Sequence, residues 1–250
     1  MPNLIIAALA LAPGLAVGSF LNVVAARVPL KRSIVSPASA CMSCGNELAW
    51  YDNIPLVSWL VLRGRCRSCG AHIAARYPAV ELVSALLVAG SVWKFGLTGD
   101  AAVAVFFCLV LVTVSATDIE HRIIPNRIVL PAAAIVLAVN TALHLSPVWA
   151  LAALGAAGFL FAAALAYPRG MGMGDVKLAL LMGAALGKSV SVAMMIGMIS
   201  ALVPGLYLLA RHGSAARKMR IPFGPFLALG SIVALFAGPW LLHQYWSLFT

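Results

Sequence analysis

Two of the seven acidic residues lie at the ends of long apolar segments, where an ionisable side chain is costly to keep. Asp118 stands in "VTVSATDIEHRIIPN" and Asp175 in "GMGDVKLALLMGAALG". If the fold brings the two carboxyl groups together, they cannot both ionise and so share a proton. One then activates a water as general base while the other polarises a carbonyl as general acid. Taken singly, each has an alternative role as a helix cap or as a partner for Arg122 or Lys177.

A second candidate functional group is a possible metal site, formed by two C-x-x-C motifs with twenty-one residues between them. Its members are Cys41, Cys44, Cys66 and Cys69. The spacing resembles a four-cysteine zinc ribbon, and Gly45 and Gly70 follow the motifs where a tight turn needs positive φ. Four thiolates leave no open coordination position, so the predicted zinc is structural. Two disulfides are the alternative, and they are rare in a reducing cytoplasm.

The composition indicates the kind of fold that must position these residues. The chain has 250 residues, 63% hydrophobic and 10% charged, with a mean hydropathy of +1.01, which excludes a soluble domain. Stretches apolar enough to cross a bilayer are predicted at 1–25, 78–97, 101–117, 128–146, 148–167, 189–210 and 223–242. Segment 176–187 is shorter, and its length suits a re-entrant segment as well as a tilted span.

The basic residues decide the predicted topology. With eight spans and the N-terminus outside, inner loops at 26–77, 118–127, 168–177 and 211–222 hold fifteen of the seventeen Lys and Arg residues. The net charge of +10 therefore reflects orientation, and we expect no nucleic-acid partner. The sequence predicts an all-α polytopic membrane protein of about eight transmembrane helices, with a small cytoplasmic zinc-ribbon-like loop. Asp118 and Asp175 both fall on the cytoplasmic side.

Six motifs in order resemble those of the bacterial type IV prepilin peptidases, which are bifunctional leader peptidases and N-methyltransferases. The motifs are "GSFLNVVAARVP" (18–29), "WYDNIPLVSWLVLRGRC" (50–66), "RYPAVEL" (76–82), "TDIEHRIIPN" (117–126), "GMGDVKLAL" (172–180) and "IPFGPFLALG" (221–230). The resemblance implies a G-x-G-D aspartic peptidase with Asp118 and Asp175 as the catalytic pair, the second framed by Gly172 and Gly174. It divides the chain into a first transmembrane helix (1–25), a cytoplasmic loop (26–77) and a transmembrane peptidase core (78–250).

The same resemblance implies partners and a location. The expected substrates are prepilins and pseudopilins of type IV pilus and type II secretion systems. They would lose a short basic leader at the cytoplasmic face of the bacterial inner membrane. The new N-terminal residue would then be N-methylated with S-adenosyl-L-methionine. Gly64 and Glu81 are the candidate residues near that second site, although Gly64 also suits an ordinary turn and Glu81 a buried partner for Arg76.

Supporting residues of the peptidase site are also expected. Pro222, Gly224 and Pro225 would line the substrate groove, or the prolines would simply begin the last span. Lys177 would tune the dyad, meet a lipid phosphate or mark the inner end of a span. Two other functions are alternatives to the peptidase: a presenilin-like general intramembrane protease, which the cysteine loop disfavours, and a proton-coupled transporter, whose paired discontinuous helices have no counterpart in the sequence.

Overall fold

The structure is a computed structural model that describes residues 2–167, 171–213 and 221–247. Within these ranges the chain is helical, with two isolated β-bridges in the cysteine loop. The α-helices are α1 (Pro2–Arg27), α2 (Val57–Val61), α3 (Arg76–Phe95), α4 (Gly99–His121), α5 (Asn126–His144), α6 (Val148–Ala166), α7 (Met173–Leu186), α8 (Val190–His212) and α9 (Gly224–Ser247). Short 3-10 helices lie at Trp50–Asn53 and Gly187–Ser189. The predicted all-α class is confirmed.

Seven helical stretches of the described chain are long and apolar enough to cross a membrane, which confirms a multi-pass protein. The count is one below the predicted eight because the stretch Met173–His212 holds two helices, α7 and α8, joined by the 3-10 turn. Helix α7 has only 14 residues. Residues 168–170 and 214–220, which belong to the predicted basic inner loops, lie outside the described ranges.

The chain forms two compact units that divide after Ala116, inside α4. In the first unit, α1 and α3 pack against each other through small residues. A Cβ atom added to Gly14 would lie 2.7 Å from Ala85 Cα, and one added to Gly18 would lie 2.7 Å from Glu81 Cα. Glycine is therefore needed at both positions for the two backbones to approach this closely. The predicted domain boundaries at residues 25 and 77 mark the ends of the polar cysteine loop and not the ends of a packed unit. They stay a prediction.

The second unit, which begins at Thr117, is built around α7. Ten of the 14 residues of this helix are buried, and it packs between α5 and α6 while also contacting α9. Asn140 of α5 donates a buried hydrogen bond of 2.8 Å to the Ala184 carbonyl of α7. A helix that is apolar on all sides is one that neighbouring helices surround. The short segment predicted at 176–187 is therefore an inner helix of this unit.

Candidate active site and metal centre

Asp118 lies in the last turn of α4, and its side chain is only 6% exposed. Its Oδ2 atom accepts a hydrogen bond of 2.8 Å from the backbone N–H of Gly224, the first residue of α9. The first amides of a helix lack intrahelical partners and carry the positive end of the helix dipole. The start of α9 thus supplies a donor that fixes this carboxyl group from 106 residues away.

Asp175 lies in the first turn of α7 and is 8% exposed. Its Oδ2 atom accepts a hydrogen bond of 3.2 Å from the Gly172 N–H, while its own N–H donates to the Gly172 carbonyl at 3.1 Å. This reciprocal pair closes the N-terminus of the helix. The backbone conformation of the "GMGD" turn therefore sets the orientation of the carboxyl group.

The two carboxyl groups are within electrostatic range of each other. Both amide bonds use Oδ2, and among the described residues neither Oδ1 atom takes part in a hydrogen bond. Each carboxyl is thus oriented through one oxygen, which leaves the other for a water or a substrate. Two buried carboxyls with this arrangement can hold one proton between them, which suits general acid–base chemistry on a carbonyl.

Two glycines leave room for this arrangement. A Cβ atom on Gly224 would lie 2.9 Å from Asp118 Oδ2, and one on Gly174 would lie 2.9 Å from Ile124 Cβ. A Cβ atom on Gly172 would lie 3.4 Å from Asp175 Oδ2, which is an ordinary contact. A methyl group at position 224 would therefore have to displace the Asp118 carboxyl group, and one at position 174 would have to displace Ile124, whereas position 172 has room for a methyl group.

Lys177 lies one half-turn beyond Asp175 on α7, and it contacts the start of α5. Its Nζ atom donates a hydrogen bond of 2.9 Å to Asn126 Oδ1. The segment from Arg122 to Pro125 joins α4, which carries Asp118, to α5. The contact therefore joins α7, which carries Asp175, to the first residue of α5, which follows the connection after Asp118.

The cysteine loop contains two turns of identical construction. In the first, the Cys41 N–H donates to the Asn46 carbonyl and the Gly45 N–H to the Cys41 carbonyl, both at 2.9 Å. In the second, Cys66 and Gly70 repeat the pattern at 2.8 and 2.9 Å. The φ angles of Gly45 and Gly70 are +72° and +71°, so the predicted positive φ is confirmed at both positions.

The four thiols of these turns meet at one point. Their sulfur atoms all lie within 4.8 Å of one another, and Cys41 Sγ is 3.8 Å from Cys69 Sγ. A tetrahedron with zinc–sulfur bonds of about 2.3 Å has edges of about 3.8 Å, so the group fits a four-thiolate metal. The amides of Cys44 and Ser43 donate to the Cys41 sulfur and lower the pKa of that thiol to about 6. All five cysteines are free, so the alternative of two disulfides is not adopted.

Gly64 and Glu81, the predicted residues of the methyl-transfer site, have structural partners. Gly64 has a φ of +67° in a turn, and a Cβ atom there would lie 3.0 Å from the Trp59 ring. Glu81 is buried in α3, where its Oε2 atom accepts a hydrogen bond of 2.9 Å from the Leu56 N–H. Their role towards a cofactor stays a prediction.

Three features of the site did not emerge from the sequence: the Gly224 amide on Asp118, Asn126 as the partner of Lys177, and Ile124 against Gly174. Asn126 and Ile124 belong to the motif "TDIEHRIIPN", but nothing in the motif itself indicates which residues these two contact. Pro222 and Pro225 flank the start of α9, in agreement with the interpretation that they begin the last span.

Comparisons with known proteins cover most of the chain. Residues 13–95 match the bacterial peptidase A24 N-terminal domain, and residues 105–209 match the type IV leader peptidase family. A protein of Bacillus subtilis (strain 168), named prepilin leader peptidase/N-methyltransferase, is 38% identical over 93% of this chain and 94% of its own length. A protein of the same name from Burkholderia pseudomallei (strain 1026b) is 35% identical over 92% of this chain and 85% of its own length.

A third relative of that name, from Myxococcus xanthus (strain DK1622), is 44% identical over 70% of this chain, which spans 43% of the relative's length. No solved structure matches the chain. Both Asp118 and Asp175 fall within the range matched by the leader peptidase family, and the four cysteines fall within the N-terminal domain. The chain belongs to the type IV prepilin leader peptidase/N-methyltransferase family, within the peptidase A24 group.

Proposed function

We propose that this protein removes the leader peptide from prepilins and pseudopilins and then N-methylates the new N-terminus, at the cytoplasmic face of the bacterial inner membrane. The observation that carries the proposal is the pair of buried carboxyl groups, Asp118 and Asp175. Each is oriented by one backbone amide and each keeps one oxygen for chemistry. The names of the relatives supply the substrate class.

In the proposed cleavage, the dyad holds one proton. One carboxylate takes a proton from a water as the water oxygen bonds to the scissile carbonyl carbon, while the protonated partner donates to the carbonyl oxygen. The carbon–nitrogen bond then breaks as a proton passes back to the leaving nitrogen. The start of α7 and the start of α9 keep both carboxyl groups in place through these steps.

The depth of the site suits this substrate. Asp118 lies at the end of one candidate span, and Asp175 at the start of another. A prepilin has a basic leader followed by a hydrophobic helix, so its scissile bond lies where that helix enters the membrane. A pair of carboxyl groups at helix ends can reach this bond without unwinding the helix. A general intramembrane protease is less consistent with the cysteine loop, and a proton-coupled transporter would need paired discontinuous helices that the sequence does not resemble.

The function is tested by incubating the purified full chain with a prepilin and S-adenosyl-L-methionine and following the substrate by mass spectrometry. We expect a mass loss equal to the leader, followed by the gain of one methyl group. A mass loss at a site within the hydrophobic helix would contradict the proposed specificity and favour a general intramembrane protease.

For the metal, we propose structural zinc bound by the four cysteines. The four thiolates would fill all four coordination positions of the zinc, so the ion would join the two turns and would leave no position for a substrate. We expect the purified wild-type protein to contain about one zinc per chain and the Cys41→Ser/Cys44→Ser variant to contain almost none, by elemental analysis. The Cys108→Ala variant is the matched control because Cys108 is buried within α4, and it should keep the metal. Wild-type protein without metal would contradict the assignment.

For methyl transfer, S-adenosyl-L-methionine is the proposed donor, and it supplies a sulfonium-bound methyl group to the new amine. Gly64 and Glu81 remain our candidates for the residues near that site. Gly64 packs against Trp59 and Glu81 accepts a hydrogen bond from Leu56, so each residue also maintains the conformation of the loop. A substitution at either position would therefore change the loop as well as any binding of the methyl donor.

Lys177 is proposed as a positioning residue that acts through Asn126. We expect Lys177→Met and Asn126→Ala each to slow prepilin cleavage several-fold, because the hydrogen bond of 2.9 Å then no longer links α7 to the start of α5. The double variant should be no slower than either single variant. This result would correspond to an interaction free energy of about 1 kcal/mol between Lys177 and Asn126. Lys188→Met removes an exposed lysine elsewhere and serves as the control. Effects that simply multiply in the double variant would contradict the link.

A further inference from the structure

The cysteine loop contains an apolar segment, residues 54–61 ("IPLVSWLV"), that lies outside every candidate membrane span. Its large apolar side chains are exposed: Ile54 by 41%, Val57 by 53%, Leu60 by 65% and Val61 by 71%. Spacings of three and four residues place such side chains on one face of a helical segment. Helix α2 therefore turns a continuous apolar face away from the protein.

On the side of α2 that faces the protein, Ser58 and Trp59 each donate a hydrogen bond to the backbone. Ser58 is only 8% exposed, and its Oγ atom donates a hydrogen bond of 2.7 Å to the Tyr51 carbonyl. Trp59 Nε1 donates a hydrogen bond of 3.1 Å to the Ile73 carbonyl. A helix on the surface of a soluble domain has the opposite arrangement, with its apolar side inward. The polarity of α2 is thus that of a segment whose outer surroundings are apolar.

The depth of the segment agrees with such surroundings. The Leu56 N–H, at the start of α2, donates to Glu81 Oε2 at 2.9 Å. Glu81 lies five residues after Arg76, where α3 begins, which is about 7.5 Å along the helix. The 20 residues of α3 are about 30 Å long and match the thickness of the hydrocarbon core. With the hydrocarbon core placed along the length of α3, Leu56 lies about 7.5 Å inside its edge, within the 5–10 Å at which interfacial helices bury their apolar face.

Helix α1 gives the same placement independently. Asn53 and Pro55 line a groove of about 310 Å³ together with Ala16, Ser19, Phe20 and Val23 of α1. These four residues belong to the candidate span Asn3–Arg27 and precede its end by four to eleven residues. The chain before α2 therefore runs beside α1 at a level inside the span.

The charges beside the segment match the surface of a bilayer. Arg63 and Arg65 follow α2 directly, and both are exposed. No carboxylate of the described residues forms an ion pair with either arginine. Basic residues next to an inserted apolar face are attracted by anionic lipid phosphates. Apolar face, depth and charge all point to the same partner.

We propose that residues 54–61 form an interfacial membrane segment, which inserts its apolar face into the adjoining leaflet and holds the cysteine loop on the bilayer surface. The partner is the lipid itself, with acyl chains against Val57, Leu60 and Val61, and phosphates at the arginines. The second cysteine turn begins at Cys66, three residues after Arg63. The metal site would therefore stay at the membrane surface, whether or not the proposed peptidase activity is correct.

The proposal is tested by photo-crosslinking of the full-length protein in vesicles of phosphatidylethanolamine and phosphatidylglycerol. The variant Leu60→benzoylphenylalanine reports on α2, and Val57→benzoylphenylalanine is a second probe of the same face. Leu9→benzoylphenylalanine is the lipid-facing reference because Leu9 is 70% exposed within α1, and Met42→benzoylphenylalanine is the aqueous reference because Met42 is 94% exposed in the first cysteine turn.

We expect phospholipid adducts at positions 57 and 60 in a yield close to that at position 9 and several-fold above that at position 42. Yields at 57 and 60 as low as at 42 would overturn the proposal. Adducts to a second copy of the chain, or to an added prepilin in place of lipid, would also overturn it and identify the face as a protein-docking surface. Activity is not part of the readout, so the outcome is independent of the proposed peptidase function.

Discussion

Replacing either aspartate, as Asp118→Asn or Asp175→Asn, is expected to slow prepilin cleavage by at least about 10³-fold. Asparagine keeps the size of the side chain and can still accept the amide hydrogen bond from Gly224 or Gly172. It cannot take up or release a proton in the pH range of the reaction. The loss therefore reports the proton transfer and not the packing of the site.

The matched control for these variants is Asp100→Asn, which removes a carboxyl group of the same type at the far end of α4. It should cleave at the wild-type rate, as measured by leader release from a purified prepilin. Both site variants should continue to methylate a pilin that was cleaved beforehand, because the two proposed reactions use different residues. Loss of both reactions together would indicate a folding defect.

A graded series of glycine-to-alanine variants has the second largest expected effects. Gly224→Ala places a methyl group 2.9 Å from Asp118 Oδ2, and Gly174→Ala places one 2.9 Å from Ile124 Cβ. Each must displace a carboxyl group or the helix that carries it, and a shift of about 1 Å in catalytic geometry can cost about 10²-fold in rate. We expect losses of this size for both variants in the rate of leader release.

The remaining members of the series are the controls. Gly172→Ala meets Asp175 Oδ2 at 3.4 Å and should change the rate only a few-fold. Gly155→Ala, in the middle of α6, meets nothing within 4 Å and should leave cleavage unchanged while stabilising the helix by about 1 kcal/mol. Equal losses at 155 and 224 would show that the effect does not depend on the carboxyl group. Methylation of cleaved pilin again reports whether each variant is folded.

The sequence predicted the long spans to within a few residues, because each is an unbroken apolar stretch of sufficient length. It predicted α7 as a short eighth span from the distribution of basic residues, but it could not predict how far neighbouring helices surround it. Twelve apolar residues are compatible with lipid, with a re-entrant turn or with a helix interior, and a helix that is apolar on all sides has no periodicity that separates these cases. In the structure ten residues of α7 are buried, so the helix lies in the interior of its unit.

The site was predictable in its parts but not in its assembly. A carboxyl group at the end of an apolar segment is unusual enough to be noticed, and two on the same predicted side suggested a pair. The amide that orients Asp118 comes from Gly224, and no local pattern connects residues 106 positions apart. The paired cysteines were the easier case, because each C-x-x-C-G turn is local and its geometry follows from a few neighbouring residues.

The central claim is that Asp118 and Asp175 act as one unit. Its most direct test is the single-turnover rate of prepilin cleavage for Asp118→Asn, Asp175→Asn and the double variant, with methyl transfer to cleaved pilin recorded on the same samples. We predict that all three variants fall to the same residual cleavage rate while methyl transfer continues, because residues that act together lose their function together. A single variant that cleaves near the wild-type rate, or a double variant whose loss is the product of the two single losses, would contradict the claim.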